Sequence, residues 1–259
     1  MPPNLIQDLE LIDYSQVNNA ADDGRIRCGL LGCGMMGQEH ISYITGYPDK
    51  IRIDFLCDPH PPSIEKSLEV LQEFGKGVTM PKVLHDEKEL LEHASSIDLL
   101  VIATPNYMHC DTILRWADQN VTILCEKPVA VSQEQHDKLL ALQKSSALTA
   151  RLWIAMEYRY IPAVAQLHHL LPTIGDIKMV TIRENRYPFL HKIGKWNRQA
   201  SQTGDTLVEV RCLLRRNFKK ASLGVQIYTN IVVPYSHRSF RNAVTFGICS
   251  VSSLERKWN

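Results

Sequence analysis

Four stretches of the chain place reactive residue types at informative spacings. Gly32-Cys33-Gly34-Met35-Met36-Gly37 has the form Gly-x-Gly-x-x-Gly. It follows a β-prone run, Arg25 to Leu31, and opens a helical pattern that starts at Met35. In that setting the first glycine permits a tight turn and the second lets backbone approach a pyrophosphate. The third allows close packing of helix on strand. Met35 and Met36 fall in the first helical turn, whose free N–H groups and partial positive charge suit phosphates. A plain glycine turn is the alternative. Asp58 lies 21 residues after Gly37 at the end of a second apolar run. An acid there accepts hydrogen bonds from an adenosine ribose and repels a 2′-phosphate. Neither Cys57 nor His60 is the arginine that a 2′-phosphate calls for, so NAD is expected rather than NADP. Alternatively, Asp58 caps a turn with Pro59. Thr104-Pro105-Asn106 follows the run Ile97 to Ala103. Thr104 and Asn106 can contact a cofactor ribose or serve as turn and cap residues. His109 is a substrate contact or a surface histidine. Glu126-Lys127-Pro128 follows the run Val121 to Cys125. Lys127 there can polarise a hydroxyl or stabilise a developing alkoxide, or it is a solvated loop charge.

Positioning these groups needs strands alternating with helices. Apolar runs at Arg25–Leu31, Ile51–Cys57, Val83–Leu84, Ile97–Ala103, Val121–Cys125 and Leu152–Glu157 read as about six strands. Helical patterns lie between them: Ser63–Phe74 with Ser63 as N-cap, Asp86–His93, Tyr107–Gln119, and Ser132–Ser145 with a weak capping box from Ser132 to Gln135. This alternation predicts βαβ units, a parallel sheet and right-handed crossovers, hence an α/β doubly wound nucleotide-binding fold.

The chain has 259 residues, is 44% hydrophobic and 22% charged, and has a formal charge of +1. That balance gives no reason to expect nucleic acid or an anionic membrane as partner, and no stretch approaches a membrane span. Residues 1–24 are polar and acidic, lack the pattern of a signal peptide, and are expected to be a disordered extension. The seven cysteines (Cys28, Cys33, Cys57, Cys110, Cys125, Cys212, Cys249) are odd in number and none are spaced C-x-x-C. They read as reduced core thiols of a cytoplasmic protein without metal or disulfides. The charge is unevenly placed. Residues 210–259 hold nine bases and one acid, a net +8; the preceding 209 hold twenty bases and twenty-seven acids, a net −7.

Taken together, the glycine pattern, Thr104-Pro105-Asn106 and Glu126-Lys127-Pro128 about 90 residues beyond the glycines resemble the Gfo/Idh/MocA oxidoreductases. The resemblance runs from about Arg25 to Glu209. It implies a Rossmann domain over 25–158 that binds NAD, followed by an α+β domain that holds a polyol or sugar substrate and often forms a homo-oligomer. On this resemblance Lys127 contacts both nicotinamide and substrate, and Glu126 orders the loop. Residues around Arg159 mark the entry to the second domain, and Trp196 lies on a substrate-side loop.

The resemblance breaks at a point that can be named. The family has a Gly-Gly-x-Leu-x-Asp/Glu-x-x-x-His stretch whose acid and histidine share one helical face. Here Asp205 replaces the second glycine, Glu209 stands at the acid position and Leu213 stands where histidine is expected. Beyond Glu209 the likeness ends, where the charge balance also reverses. Residues 159–209 are therefore expected to be a partial second domain, and 210–259 an atypical, poorly specified basic tail from an altered reading frame or alternative exon. The function expected is NAD-dependent oxidation of a CH–OH group, impaired by the missing histidine. The alternative is an inactive NAD-binding regulatory or interaction protein.

Overall fold

A computed structural model describes residues 23–75, 79–145, 151–170, 173, 179–186, 196–197, 199–203, 225–231 and 243–249. Six strands form one sheet in the order β3-β2-β1-β4-β5-β6, all parallel. They are β1 (Ile26–Leu31), β2 (Ile51–Cys57), β3 (Lys82–Leu84), β4 (Leu99–Ile102), β5 (Thr122–Glu126) and β6 (Leu152–Ala155). The helices between them are α1 (Met35–Ile44), α2 (Pro61–Phe74), α3 (Glu87–Glu92), α4 (His109–Trp116) and α5 (Gln133–Ser145). Strand order reverses between β1 and β4, and the carboxyl ends of these two strands flank the crevice where such sheets take ligands.

The apolar strand residues divide between two cores because successive side chains leave opposite faces. Leu30 and Val101 pack with Ile41 of α1 and Leu71 of α2. Leu31, Leu100 and Ile102 pack with Ile113 and Trp116 of α4. A register shift opposite Cys28 and Gly29 leaves Asp54 as an extra residue in β2. Ile53 and Leu56 consequently serve one core while Phe55 and Cys57 serve the other. Arg27 of β1 donates to both carboxylate oxygens of Asp98 at 2.9 and 2.8 Å, next to β4. Burial alone would raise the Asp98 carboxyl; hydrogen bonds and charge from Arg27 outweigh it and hold the group below its ordinary value.

Three local readings are corrected. Ser63 is not the N-cap of α2: Pro61 and Pro62 occupy its first positions, and His60 is the cap. Proline presets helical φ and has no N–H to satisfy, so it starts the helix earlier than the hydroxyl pattern suggests. Ser132 does accept from the Gln135 N–H at 3.2 Å, but the Gln135 side chain accepts from the Val131 N–H rather than closing back on Ser132. Asp23 and Gly24, assigned to the N-terminal extension, have defined positions, and Asp23 pairs with Arg25 and Arg52. Residues 1–22 lie outside the described residues.

Residues Ala200–Asp205 group with the first 155 residues as one compact unit; Met156–Gln199 and Thr206–Asn259 form the other. Within this second unit, α6 (Pro162–Leu170) precedes β7 (Met179–Arg186). β8 (Val225–Ile231) runs parallel to β7 and β9 (Ala243–Cys249) antiparallel on its other edge. The basic segment thus contributes two strands to a sheet. Its β-branched and aromatic runs satisfy backbone groups that β7 would otherwise leave open on both edges. Among the described residues no helix is long and apolar enough to cross a membrane.

Candidate dinucleotide and hydroxyl site

The turn after β1 is fixed by steric exclusion. Gly32 has φ +99, and a Cβ there would stand 2.6 Å from the Ala103 carbonyl. Its N–H donates to the Cys57 carbonyl at 2.9 Å. A Cβ on Gly37 would meet the Gly32 oxygen at 2.1 Å, so this residue permits α1 to lie against the turn. Gly34 is different. Its φ of −70 and ψ of −167 suit any residue, and a Cβ there would meet nothing within 4 Å. Folding does not require glycine at 34, and a side chain would fill the open space in front of α1. Met35 is exposed and Met36 half-buried in the first turn, and the cap residue Gly34 offers no side-chain hydrogen bond. The N–H groups at this end are the unpaired donors of a helix start.

Asp58 is held by two backbone donors. Oδ1 accepts from the His60 N–H at 2.8 Å, forming a turn with its neighbours. Oδ2 accepts from the Cys33 N–H at 2.7 Å, inside the glycine turn. The Cys33 carbonyl in turn accepts from Gln38 at 3.0 Å and from the buried Ser67 hydroxyl at 3.1 Å. Burial, aided by the Asp58 charge, pushes the Cys33 thiol up to about 12; burial does the same at Cys57. Cys28, Cys33, Cys57, Cys110 and Cys125 are buried free thiols; held protonated, such groups pack as small hydrophobes and are not nucleophiles.

Across the crevice, Thr104 follows β4, and its buried hydroxyl has no hydrogen-bond partner among the described residues. Asn106 is buried and its amide donates to the Thr203 carbonyl at 3.3 Å. Neither side chain caps the following helix: Pro105 and Met108 occupy the cap positions, without side-chain bonds. Of the two readings of His109, a substrate contact or a surface histidine, the surface one is corrected: the side chain is fully buried. Its burial was not legible because its two partners, the Thr104 and Pro128 carbonyls, come from separate loops.

At the end of β5 the Glu126 carboxylate is buried. One oxygen lies 2.8 Å from His40 Nε2, and the other accepts from the Lys127 N–H at 3.3 Å. Lys127 is half-buried. His40 is a residue the sequence analysis missed. Its signal was spacing: three residues after Gly37, it shares the helix face that packs on the sheet. Trp196 is half-buried in a short helical turn of the second unit. Arg159 lies in the helical turn Glu157–Tyr160; its side chain, Glu209 and Leu213 lie outside what is described. Among the described residues no cluster of three or more His, Cys, Asp or Glu could hold a metal.

These features fit a dinucleotide. The open space at Gly34, a helix start without side-chain cap, the Asp58 carboxylate and an orphaned Thr104 hydroxyl follow the carboxyl ends of the adjacent strands β1, β2 and β4. Residues 26–152 match the sequence profile of an oxidoreductase family described as having an NAD-binding Rossmann fold. Among curated relatives, the inositol 2-dehydrogenase of Rhizobium meliloti is 30% identical over 159 residues, covering 61% of this chain and 44% of that protein. The rhizopine catabolism protein MocA of Rhizobium meliloti is 32% identical over 143 residues, covering 55% and 41%. The chain therefore spans less than half the length of these relatives. Among solved structures, the WlbA (WbpB) dehydrogenase from Thermus thermophilus, in complex with NAD and UDP-GlcNAcA, superposes with a TM-score of 0.67 at 17% identity. That match covers 86% of this chain and 81% of the other and shows the shared fold.

Proposed function

We propose that this chain, whose residues 26–152 match the Gfo/Idh/MocA oxidoreductase family with its NAD-binding Rossmann fold, is an NAD-dependent dehydrogenase of a polyol or sugar hydroxyl. The observation that carries the binding half is Gly34, a position where the fold tolerates a side chain and a pyrophosphate does not. In this reading the N–H groups of Met35 and Met36 face the phosphates. Asp58 takes the adenosine ribose hydroxyls with lone pairs not used by Cys33 and His60, and its charge disfavours a 2′-phosphate. Thr104 and Asn106 line the nicotinamide side, and the unpartnered Thr104 hydroxyl gains a bond there.

When bound, NAD would supply the two-electron acceptor that oxidation of an alcohol to a carbonyl requires. Lys127 holds the alcohol oxygen and stabilises its negative charge as the O–H proton leaves. Glu126, fixed by His40, holds the backbone N–H of Lys127. Glu209 is the acid assigned to the proton path, and Arg159 and Trp196 are assigned to the substrate. The substrate class rests on the relatives, one named an inositol 2-dehydrogenase. Buried free thiols support a reducing, cytoplasmic setting.

A second reading is favoured by one observation, Leu213 where the resemblance expects histidine. Losing a general base costs roughly 10²–10⁴-fold in rate, so the chain would bind NAD with little or no turnover and act as a sensor or partner. The test is NADH formation from NAD with a panel of inositols and sugars, alongside Lys127→Ala. Turnover that the substitution abolishes supports the dehydrogenase; saturable NADH binding without turnover supports the second reading.

A further inference from the structure

Lys127 sits between two residues that are each held by a histidine. On one side His40, from the helix that follows the glycine turn, pairs with Glu126 at 2.8 Å. On the other side His109 reaches the Pro128 carbonyl through Nδ1 at 2.8 Å. The second ring nitrogen of His109 lies 2.9 Å from the Thr104 carbonyl. His109 is fully buried at the start of α4. Both of these contacts end on carbonyl oxygens, which only accept. A neutral imidazole has one N–H and one lone pair, so it would satisfy one contact and oppose the other; the doubly protonated ring donates to both.

We propose that His109 is a positioning residue which, as an imidazolium, ties the turn after β4 to the loop after β5 and so sets where Lys127 stands. The inference rests on Lys127 being the reacting lysine. It gives His109 a role that its burial alone does not: the two segments it joins carry Thr104 and Lys127, on the two strand ends beyond β1 in the crevice. Two short carbonyl contacts supply the charge-assisted bonds that a buried cation needs. Charged side chains on the surrounding elements are Glu126 and Lys127 from β5 and its loop, Asp111 on its own helix, and Glu134 and Lys138 from α5, which act on the neighbouring Cys110.

The test uses the full 259-residue chain. Histidine-labelled protein is examined by nitrogen-15 NMR about one pH unit above the ordinary histidine value of ~6.5. One ring with protons on both nitrogens is expected, and its signals vanish in His109→Asn. A single neutral tautomer assigned to His109 overturns the proposal. The second readout is acylation of lysines followed by mass spectrometry. His109→Asn releases the loop, and the half-buried Lys127 amine reacts on the order of tenfold faster, while exposed Lys88 and Lys144 react as before. An unchanged or slower rate at Lys127 in a variant that still melts cooperatively overturns the proposal. If His109→Asn does not fold, His109→Gln, whose amide donates to one carbonyl at a time, is read the same way, and the wild-type spectrum still decides the charge. Neither readout needs NADH or turnover. A chain that gives both expected results yet binds no dinucleotide refutes the proposed function and leaves the positioning role standing.

Discussion

Replacing Gly34 by alanine separates folding from binding. The position has allowed dihedrals for alanine and no atom within 4 Å of the added Cβ. At a helix N-cap alanine is worse than glycine by up to about 1 kcal/mol. Restricting the unfolded chain returns roughly 0.4–1 kcal/mol. The two terms nearly cancel, so the melting temperature moves by no more than ~4 °C. The added methyl stands between the first-turn N–H groups and the pyrophosphate. Losing two hydrogen bonds to a charged group, each worth about 1.5 kcal/mol, weakens NADH binding by roughly 150-fold. Gly37→Ala gives the contrasting pattern. Its Cβ would stand 2.1 Å from the Gly32 oxygen, a backbone atom that cannot rotate away. The helix must retreat, costing about 1–3 kcal/mol or more, and both stability and binding fall together. Calorimetric melting and NADH fluorescence titration of the two variants read this out. A folded Gly34→Ala protein that binds NADH within about threefold of wild type would refute the reasoning.

Other outcomes follow from the same geometry. Asp58→Ala frees the Cys33 and His60 N–H groups and removes the charge facing a 2′-phosphate; NADH affinity falls about tenfold and discrimination against NADPH disappears, read by parallel titrations. Lys127→Ala leaves NADH affinity within a few-fold and lowers turnover by roughly 10²–10⁴-fold, measured by NADH formation at saturating NAD. Asp98→Asn breaks a pair whose side chains are 12% and 5% exposed, destabilising the protein by about 3 kcal/mol in urea unfolding. The Asp98 carboxyl is held below its ordinary value, so its contribution is present above the usual aspartate range and is lost as pH falls through the lowered value. Wild type accordingly loses stability on acidification in that window, and Asp98→Asn loses less.

The parts of this fold that sequence reveals are those encoded by neighbours in the chain. The apolar runs marked all six parallel strands because buried strands carry side chains on both faces. Gly32 and Gly37 were legible because a turn and a close helix contact each demand glycine locally. The connections made across the sheet were not legible. His40 and Glu126 are 86 residues apart, and Cys33 and Ser67 are 34 apart; no period in the sequence links them. His109 was left between a surface residue and a substrate contact because nothing local signals two carbonyls converging on it from different loops. In the basic segment, Val225–Ile231 and Ala243–Cys249 carry the β-branched residues of a sheet, but nothing local in the sequence says which strand they pair with. The substrate residues proposed at Arg159, Trp196 and Glu209 rest on resemblance alone, and Glu209 stands at the edge where that resemblance ends.

Titrating the purified full chain with NADH, with NADPH in parallel, tests the central claim most directly. The account predicts saturable quenching at one dinucleotide per chain, with NADH preferred by at least about tenfold over NADPH through the Asp58 carboxylate. A soluble protein with a cooperative melting transition that binds neither dinucleotide would contradict it.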